Sequence, residues 1–290
     1  MKYGIVFPQT EFPADPSAIR DFAQAAESLG FNHLLAYDHI LGANPERDGG
    51  WSGPYTFRDP FQEPLTFFSY LAGVTTDLEF VSGIIILPQR ETALFAKQAA
   101  TLDVLSQGRL RLGFGVGWNE IEFISQNKDF NNRGQRVEEQ IEVLRLLWTQ
   151  PLVTFKGHWH NIPDAGLNPL PVQRPIPIWF GGHAEPVLRR IAKIGDGWLP
   201  LYTTPEEGAQ ALDKLAGYLS DHGRSMKDIG LEPKIRFGDG NPDTWQNLNN
   251  AWQSAGATHL TVNIMNAGFK KPQEHIQAMS QFAEVLEINN

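Results

Sequence analysis

The feature that most constrains this chain is a regular alternation of short apolar segments with longer amphipathic ones. The first segment, residues 3–8, predicts a strand, and the helix after it is predicted to begin at Asp15 and stop at Gly30. Eight such strand–helix units can be counted, and the seventh, whose strand is LEPKIRFG at residues 231–238, is the least clear. Units of this kind require a parallel sheet with right-handed crossovers, and eight of them close most simply into a (β/α)8 TIM barrel.

The alternation breaks once, at residues 152–175, where a Pro-rich insertion precedes the predicted fifth strand, IPIWFGG. The stretch VTFKGHWHNI inside this insertion predicts a small hairpin. No polar linker, composition shift or low-complexity segment divides the 290 residues, and barrels of this type reach this length as one unit. We therefore expect a single barrel domain over residues 1–290.

The composition excludes several classes of function. A formal net charge of -9 without a Lys/Arg-rich run argues against nucleic acid and against an anionic membrane surface, because both need clustered cations. No segment approaches the ~18 uninterrupted apolar residues of a spanning helix. The start, MKYGIVFPQTEFPAD, is too short and too soon acidic for a signal peptide, so we expect a cytoplasmic protein. The chain has no cysteine, and redox chemistry would therefore need a bound cofactor.

The ends of the predicted strands give the candidate active-site residues, because a barrel of this type carries its site at the carboxyl ends of the strands. These ends hold amides, glycines and aromatic residues rather than paired carboxylates, and they contain no lysine. They fall at residues 8–9, 38–39, 87–89, 115–119, 181–183, 200–202 and 263–266. This set favours a small-molecule site that holds a flat ligand over a hydrolytic site.

The stretch GFGVGWNE places glycines at every second position of a strand end. Glycine adds no packing and costs backbone entropy, so a bare strand end indicates close approach by a neighbouring strand or by a ligand. Because they lack side chains, Gly115 and Gly117 leave their backbone N–H groups accessible at the end of the strand. Trp118 adds a flat surface and Asn119 a polar handle, which together suit a planar cofactor with a polar tail. The alternative is a tight strand-to-helix turn with Trp118 in the core.

A second glycine pair lies in IWFGGHAEP, between the fifth predicted strand and a helix whose first turn suits Pro186. The turn at Gly181, Gly182 and His183 can direct backbone N–H groups toward an anion, and phosphate is the expected ligand. The alternative is an ordinary turn between strand and helix, since barrels more often bind phosphate after their seventh and eighth strands.

Two titratable residues, Asp38 and His39, end the second predicted strand. Neighbours in a strand point to opposite faces, so both reach the pocket only if the chain turns there. A histidine at this place suits proton transfer near neutrality, and a structural histidine is the alternative. Gly83, in the third predicted strand, indicates either a bulge or a close approach of the backbone to a ligand.

Two further groups favour structural interpretations. His158 and His160 share a face of the predicted hairpin, but a metal would need further ligands that the sequence does not place, so a solvated hairpin is favoured and no metal site is predicted. Arg133, Arg136 and Glu139 surround a helix start and are interpreted as surface charges.

Taken together, these motifs resemble the luciferase-like monooxygenase family, in particular its coenzyme F420-dependent (deazaflavin) oxidoreductase branch. The similarity covers nearly the whole chain through AAESLGFNHLLAYDHIL, GPYTFRDPF, GWNEIEF, DFNNRGQRVEEQIEVLRLLW, PIPIWFGGHAEPVLRRIAKIGDGWLP and AGATHLTVNI. The resemblance implies a (β/α)8 barrel with an insertion before the fifth strand and hydride transfer to or from a small organic substrate. It also implies a homodimer, with a flavin or F420 reductase as a candidate partner.

The resemblance further implies roles for the candidate residues. Asp38 would contact the cofactor ring and His39 would donate or accept a proton. Gly83 and Ile84 would form a non-prolyl cis peptide in a bulge behind the ring. The cofactor's side chain would lie along Gly115, Gly117, Trp118 and Asn119, and its phosphate at Gly181, Gly182 and His183.

Some sugar-phosphate-oxidising members of the family carry a glutamate where this chain has Trp118, so their substrate is not implied. The Asp38–His39 pair, in place of the longer acidic-His-His run of bacterial luciferases, favours coenzyme F420. The alternative is an FMN-dependent monooxygenase in which reduced flavin reacts with O2. A cofactor-free lyase or hydrolase and a non-catalytic flavin-storing protein are further hypotheses.

Overall fold

A computed structural model describes residues 1–288, which contain eleven strands and nine α-helices. The strands are β1 (Lys2–Val6), β2 (His33–Ala36), β3 (Glu79–Ile86), β4 (Leu110–Gly115), β5 (Val153–Lys156), β6 (Asn161–Ala165), β7 (Ile178–Gly181), β8 (Gly197–Leu199), β9 (Gly230–Leu231), β10 (Lys234–Arg236) and β11 (His259–Asn263). The helices are α1 (Pro16–Ser28), α2 (Pro64–Ala72), α3 (Thr92–Leu105), α4 (Glu120–Ser125), α5 (Arg133–Thr149), α6 (Glu185–Ile194), α7 (Pro205–Asp221), α8 (Pro242–Ser254) and α9 (Pro272–Val285). Within residues 1–288, no helix combines the length and the apolar character needed to cross a membrane.

Nine of the strands form one parallel sheet in the order β10-β11-β1-β2-β3-β4-β7-β8-β9. Its two edge strands, β9 and β10, are consecutive pieces of chain with only Glu232 and Pro233 between them. The N–H of Glu232 donates to the carbonyl of Trp198 on β8, and the N–H of Thr261 on β11 donates to the carbonyl of Pro233, both at 3.0 Å. The sheet therefore closes on itself, and with β9 and β10 counted as one interrupted strand it is the predicted (β/α)8 barrel.

The predicted strand boundaries differ from the observed ones where the backbone hydrogen bonds between neighbouring strands are interrupted. The seventh strand is split because Pro233 has no N–H to donate, and the pairing partner changes there from β8 to β11. The second strand was predicted through His39 but ends at Ala36, because Asp38 and His39 turn toward side-chain partners. The helix starts agree better with expectation, and Asp15 caps α1 by accepting from the N–H of Ser17 at 2.9 Å.

The insertion contains the predicted hairpin, formed by β5 and β6 in an antiparallel pair. The interpretation of Glu139 as a surface charge is wrong, because its side chain is only 12% exposed and holds the hairpin turn. Its carboxylate accepts from the backbone N–H groups of His158, Trp159 and His160 at 2.8 Å each. The ring of His160 is also occupied, with Nδ1 2.7 Å from Glu139 and Nε2 2.6 Å from the hydroxyl of Thr92.

At the amino-terminal ends of the strands, the barrel interior contains a charge network that we call the lower layer. It is formed by His33, Glu79, Arg111, Glu232 and Thr261. Arg111 pairs with Glu79 at 3.1 Å and also with Glu232. The Nε2 atom of His33 lies 2.9 Å from both Glu232 Oε1 and Thr261 Oγ1. Because Glu232 lies between β9 and β10, the network joins the strands that meet where the barrel closes.

Neighbouring charges lower the pKa values of both carboxylates of the lower layer. Burial opposes ionisation of Glu232, but Arg111 and His33 outweigh it and hold the pKa of Glu232 well below its usual value. Burial likewise opposes ionisation of Glu79, and Arg111 reverses the balance so that the pKa of Glu79 is lowered. Loss of Arg111 would be the most costly, since it would leave two carboxylates without their main compensating charge.

Candidate active site

A cavity of about 450 Å³ opens at the carboxyl ends of the barrel strands, and we call it the apolar lobe. Its wall contains all the predicted site residues except Asn119, namely Asp38, His39, Gly83, Ile84, Gly115, Gly117, Trp118, Gly181, Gly182 and His183. Asn119 lies at a neighbouring cavity of about 360 Å³. Its buried side chain caps α4 by accepting a hydrogen bond from the N–H of Ile121 at 3.2 Å.

The bare strand ends make room for one side chain, that of Ile84. A Cβ atom added at Gly115 would lie 2.0 Å from Cδ1 of Ile84, and one added at Gly181 would lie 2.7 Å from its Cγ2. The peptide bond between Gly83 and Ile84 is cis, as the resemblance implies. The register of β3 against β4 shifts between Ser82 and Ile85, which confirms a bulge. Ile84 therefore forms the floor of the apolar lobe, and the glycines are needed for its insertion.

Trp118 lies at the rim of the apolar lobe. Its side chain is 46% exposed, so the alternative that placed it in the core is wrong. The ring centroid of Trp118 lies 5.8 Å from that of Trp51 and 5.9 Å from that of His39. Tyr55 and Phe61 approach the His39 ring more closely, with centroids at 4.9 and 4.7 Å. The loop after β2 thus supplies an aromatic surround for His39 that its sequence did not reveal.

The turn between β7 and α6 has the geometry of an anion site. Gly182 has a φ of +114°, a conformation that favours glycine. Its carbonyl accepts from the indole N–H of Trp198 at 2.7 Å, which fixes the turn. Ala184 is the N-cap residue of α6 and offers no side-chain cap. Pro186 has no N–H, and the N–H of Val187 donates to the carbonyl of Ala184 at 2.8 Å, so the N–H of Glu185 is the one in this first turn left for solvent or a ligand.

His39 is oriented by Glu122, a residue that the sequence did not single out. Oε1 of Glu122 lies 3.2 Å from Nδ1 of His39 and accepts from the N–H of Ile40 at 3.1 Å, while Oε2 accepts from the amide of Gln89 at 3.0 Å. Burial opposes ionisation of Glu122, but the hydrogen bonds from His39 and Gln89 outweigh it, and the pKa of Glu122 is lowered. An ionised carboxylate only accepts, so Nδ1 carries a proton and Nε2 is the nitrogen left for proton exchange.

Asp38 lies in the same wall, but its carboxylate is engaged by protein groups. Oδ1 pairs with Arg90 at 2.8 Å, and Oδ2 accepts from the N–H of Ile86 at 3.1 Å. Arg90 also pairs with Glu63 at 3.0 Å. Burial raises the pKa of Asp38, with Arg90 acting against that shift. Asp38 thus fixes the loop that carries His39 to the end of β3.

A second cavity of about 430 Å³, which we call the polar lobe, adjoins the apolar lobe. The two share Tyr37, Tyr55, Gly83, Leu201 and Lys234 in their walls. The candidate strand ends contained no lysine, whereas Lys234 lines the mouth of the barrel. Lys234 lies within the predicted seventh strand, residues 231–238, but that strand was the least clear of the eight and its end was not among the candidates.

No cluster of three or more histidine, aspartate or glutamate side chains within residues 1–288 is arranged to hold a metal ion. Glu122 and Arg90 could have been suspected only from their positions. Glu122 follows the N-cap residue Asn119 by three positions, and Arg90 directly follows the predicted strand end at residues 87–89. Neither position by itself indicates burial, which depends on the packing of three separate segments.

Known proteins with similar sequences include enzymes of two cofactor types. An uncharacterized protein of Mycobacterium tuberculosis (strain ATCC 25618 / H37Rv) is 39% identical over 203 residues, 67% of each chain. The FMNH(2)-dependent dimethylsulfone monooxygenase of Pseudomonas putida is 28% identical over 281 residues, 93% of this chain and 73% of that protein. The F420-dependent glucose-6-phosphate dehydrogenase of Amycolatopsis mediterranei (strain U-32) is 29% identical over 215 residues, 69% of this chain and 61% of that protein.

The barrel also has a close counterpart among solved structures. An F420-dependent secondary alcohol dehydrogenase, solved with an F420-acetone adduct, matches with a TM-score of 0.77 and 16% identity over 100% of this chain and 99% of that one. At that identity the likeness shows the fold. The model of the luciferase-like monooxygenase family matches residues 1–284. This chain therefore belongs to the luciferase-like monooxygenase family.

Proposed function

We propose that this protein is an oxidoreductase that transfers a hydride between coenzyme F420 and a small organic substrate. The observation that carries the proposal is His39, held by the buried carboxylate of Glu122 at the edge of a cavity whose floor is Ile84. Family membership and relatives of both cofactor types support a flavin or deazaflavin enzyme. The choice of F420 rests on a residue difference, since His39 is followed by Ile40 and not by the second histidine of bacterial luciferases.

The residues of the apolar lobe fit such a cofactor. Ile84 offers an apolar surface for a planar ring, and Gly182 leaves open space above the start of α6, where a Cβ would meet only Val187 at 3.6 Å. The N–H groups at residues 181–184 would hold the cofactor's phosphate, favoured by the helix dipole. Gly115, Gly117, Trp118 and Asn119 would line its side chain, with Asn119 acting through the turn that it caps. When bound, the deazaflavin supplies or accepts the hydride.

The proton that accompanies the hydride is assigned to His39. Hydride addition to a polar double bond leaves a basic atom, and Nε2 of His39 is placed to give it a proton because Nδ1 is held by Glu122. In the reverse direction the same nitrogen removes the proton from a hydroxyl group. Asp38 keeps the loop in place through Arg90 and contributes to the wall against the ring.

Spectral titration tests the cofactor assignment. We expect the purified protein to bind F420 more tightly than FMN, and Gly182→Val to abolish F420 binding because the side chain enters the anion site. Gly256→Val is the matched control, since Gly256 also has positive φ, +91°, with open space around it, but lies in a remote turn. Circular dichroism establishes that both variants are folded. Unchanged F420 affinity in folded Gly182→Val would contradict the phosphate assignment, and tighter binding of FMN would favour the monooxygenase alternative.

We further propose that the protein is a homodimer that uses α2 and α3. Leu94 and Leu105 on α3 are each 59% exposed, and Tyr70 on α2 is 39% exposed, which leaves apolar surface for a second copy to cover. Sedimentation at micromolar protein concentration tests this, and a monomer there would contradict it. A flavin or F420 reductase is the proposed source of reduced cofactor.

A further inference from the structure

The mouth of the barrel has two lobes of different chemistry, and Lys234 stands where they meet. Its side chain belongs to the walls of both cavities. Within residues 1–288 no carboxylate forms an ion pair with its ammonium group. Burial lowers the pKa of Lys234, and Arg236 adds to that shift while Glu232 acts against it. A cation in such a place can still form charge-assisted hydrogen bonds to a ligand.

The charges around the polar lobe do not cancel. Arg236 lies in its wall and approaches Asp239 only to 3.7 Å, with both side chains more than half exposed, which is a weak pairing. Lys234 and Arg236 against Asp239 leave a single net positive charge. This local excess stands out in a chain whose formal net charge is -9.

Neutral donors complement the cations. Asn263 donates from its amide to the phenol oxygen of Tyr37 at 3.4 Å, so that oxygen acts as an acceptor and its own proton is left to donate. Burial raises the pKa of Tyr37, which keeps the phenol protonated. The acceptor oxygen of Asn263 is occupied by the N–H of Met265 at 2.9 Å. The unused hydrogen-bonding capacity of Lys234 and Tyr37 is therefore that of donors.

We propose that the polar lobe binds a carboxylate group of the substrate, with Lys234 as its main partner, the Tyr37 hydroxyl as a second donor and Arg236 at the rim. The single net charge matches one carboxylate, whereas Asp239 opposes a doubly charged phosphate. The rest of such a molecule would extend across Gly83 and Tyr55, which both lobes share, toward His39. The assignment of this anion to the substrate rests on the proposed hydride transfer. The binding of a carboxylate in the polar lobe does not depend on that proposal.

Isothermal titration calorimetry of the protein as purified tests this inference, with benzoate as probe and benzyl alcohol and inorganic phosphate as comparisons. We expect benzoate to bind at least about tenfold more tightly than benzyl alcohol, because a hydrogen bond to a charged group contributes that much or more. Lys234→Met should weaken benzoate binding by a similar factor. Arg236→Gln, at an exposed side chain where folding is not at risk, should weaken it by a smaller factor. Lys193→Met, at a lysine that is 60% exposed and outside both lobes, is the control.

The other outcomes decide against the proposal. Equal binding of benzyl alcohol and benzoate, or no binding of benzoate, would remove the charge-based site, and tighter binding of phosphate would reject the carboxylate. Spectral titration of Arg236→Gln with F420 separates cofactor from substrate, because Arg236 lines the polar lobe and not the apolar lobe. We expect its F420 affinity to stay within about twofold of the parent, and a loss that parallels the loss of benzoate binding would assign the anion to the cofactor. Failure of the parent to bind any flavin would instead reject the proposed function and leave the calorimetric result standing.

Discussion

The two ends of the barrel use buried charge in opposite ways. In the lower layer, Arg111 is matched by two carboxylates and Glu232 by three side-chain partners, so the charges satisfy one another. At the mouth, Lys234 has no ion-pair partner among residues 1–288, and His39 is held by only one of its two nitrogens. One chain segment serves both ends, since Glu232 and Lys234 are two residues apart. Charges that pair with one another therefore stabilise the closure of this barrel, whereas groups with unused hydrogen-bonding capacity line its mouth.

Replacing His39 tests the role of the barrel mouth most directly. We expect His39→Asn to lower turnover of an identified substrate by about 10²- to 10⁴-fold, because the proton donor is lost. Thermal unfolding should change little, and His158→Asn, in the exposed hairpin turn, is the control. Turnover within about threefold of the parent, with an unchanged pH profile, would leave His39 only a contact role.

Replacing Glu232 tests the role of the lower layer. We expect Glu232→Gln to lower the free energy of unfolding by about 2 to 3 kcal/mol, because Arg111 and His33 lose the carboxylate that they share, although Glu79 still pairs with Arg111. Urea unfolding measures this. Glu185→Gln, which removes an exposed partner of Arg189 on α6, should cause no measurable change. Equal effects of the two variants would mean that the lower layer does not stabilise the closure.

Glu122 differs from both groups, because its carboxylate is fully paired and yet it lies at the mouth of the barrel. We expect Glu122→Gln to lower kcat about tenfold with a smaller change in KM, since His39 loses the carboxylate that holds Nδ1 while the pocket wall stays in place. Glu120→Gln, at an exposed position of the same helix, is the matched control. An effect confined to thermal stability, with kcat unchanged, would make Glu122 a structural residue.

The last expected effect concerns the acid stability of the amino-terminal end of the barrel, and it is absent at neutral pH. Burial, with Arg111 nearby, lowers the pKa of His259 from 6.5 to about 3. The folded protein keeps this ring neutral, so its contribution is complete above pH 6.5 and is lost as the pH falls toward 3, by at most about 1.4 kcal/mol per pH unit. His259→Gln should flatten urea-measured stability over that range, and the exposed His222→Gln should not. Identical pH profiles for the parent and His259→Gln would contradict the shift.

The sequence predicted the barrel and most of the apolar lobe because both depend on local patterns. Alternation sets the eight units, and glycines at strand ends mark where Ile84 must fit. Glu122 and Arg90 could not be predicted, because their burial results from loops after β2 and β3 meeting α4. Lys234 was missed for a different reason, since the predicted strand that contains it, residues 231–238, was the least clear of the eight and its end was not among the candidate positions.

The pairing of the first strand with the last has a consequence for how the protein is made. Lys2 on β1 is opposite His259 on β11, with about 250 residues of sequence between them. At a synthesis rate of about 5 to 20 residues per second, β1 waits roughly 12 to 50 s for that partner. During this time one edge of β1 has backbone groups without their final hydrogen bonds, which exposes the nascent chain to unwanted strand pairing. A ribosome that pauses late in this message would lengthen the most vulnerable stage in the life of the protein.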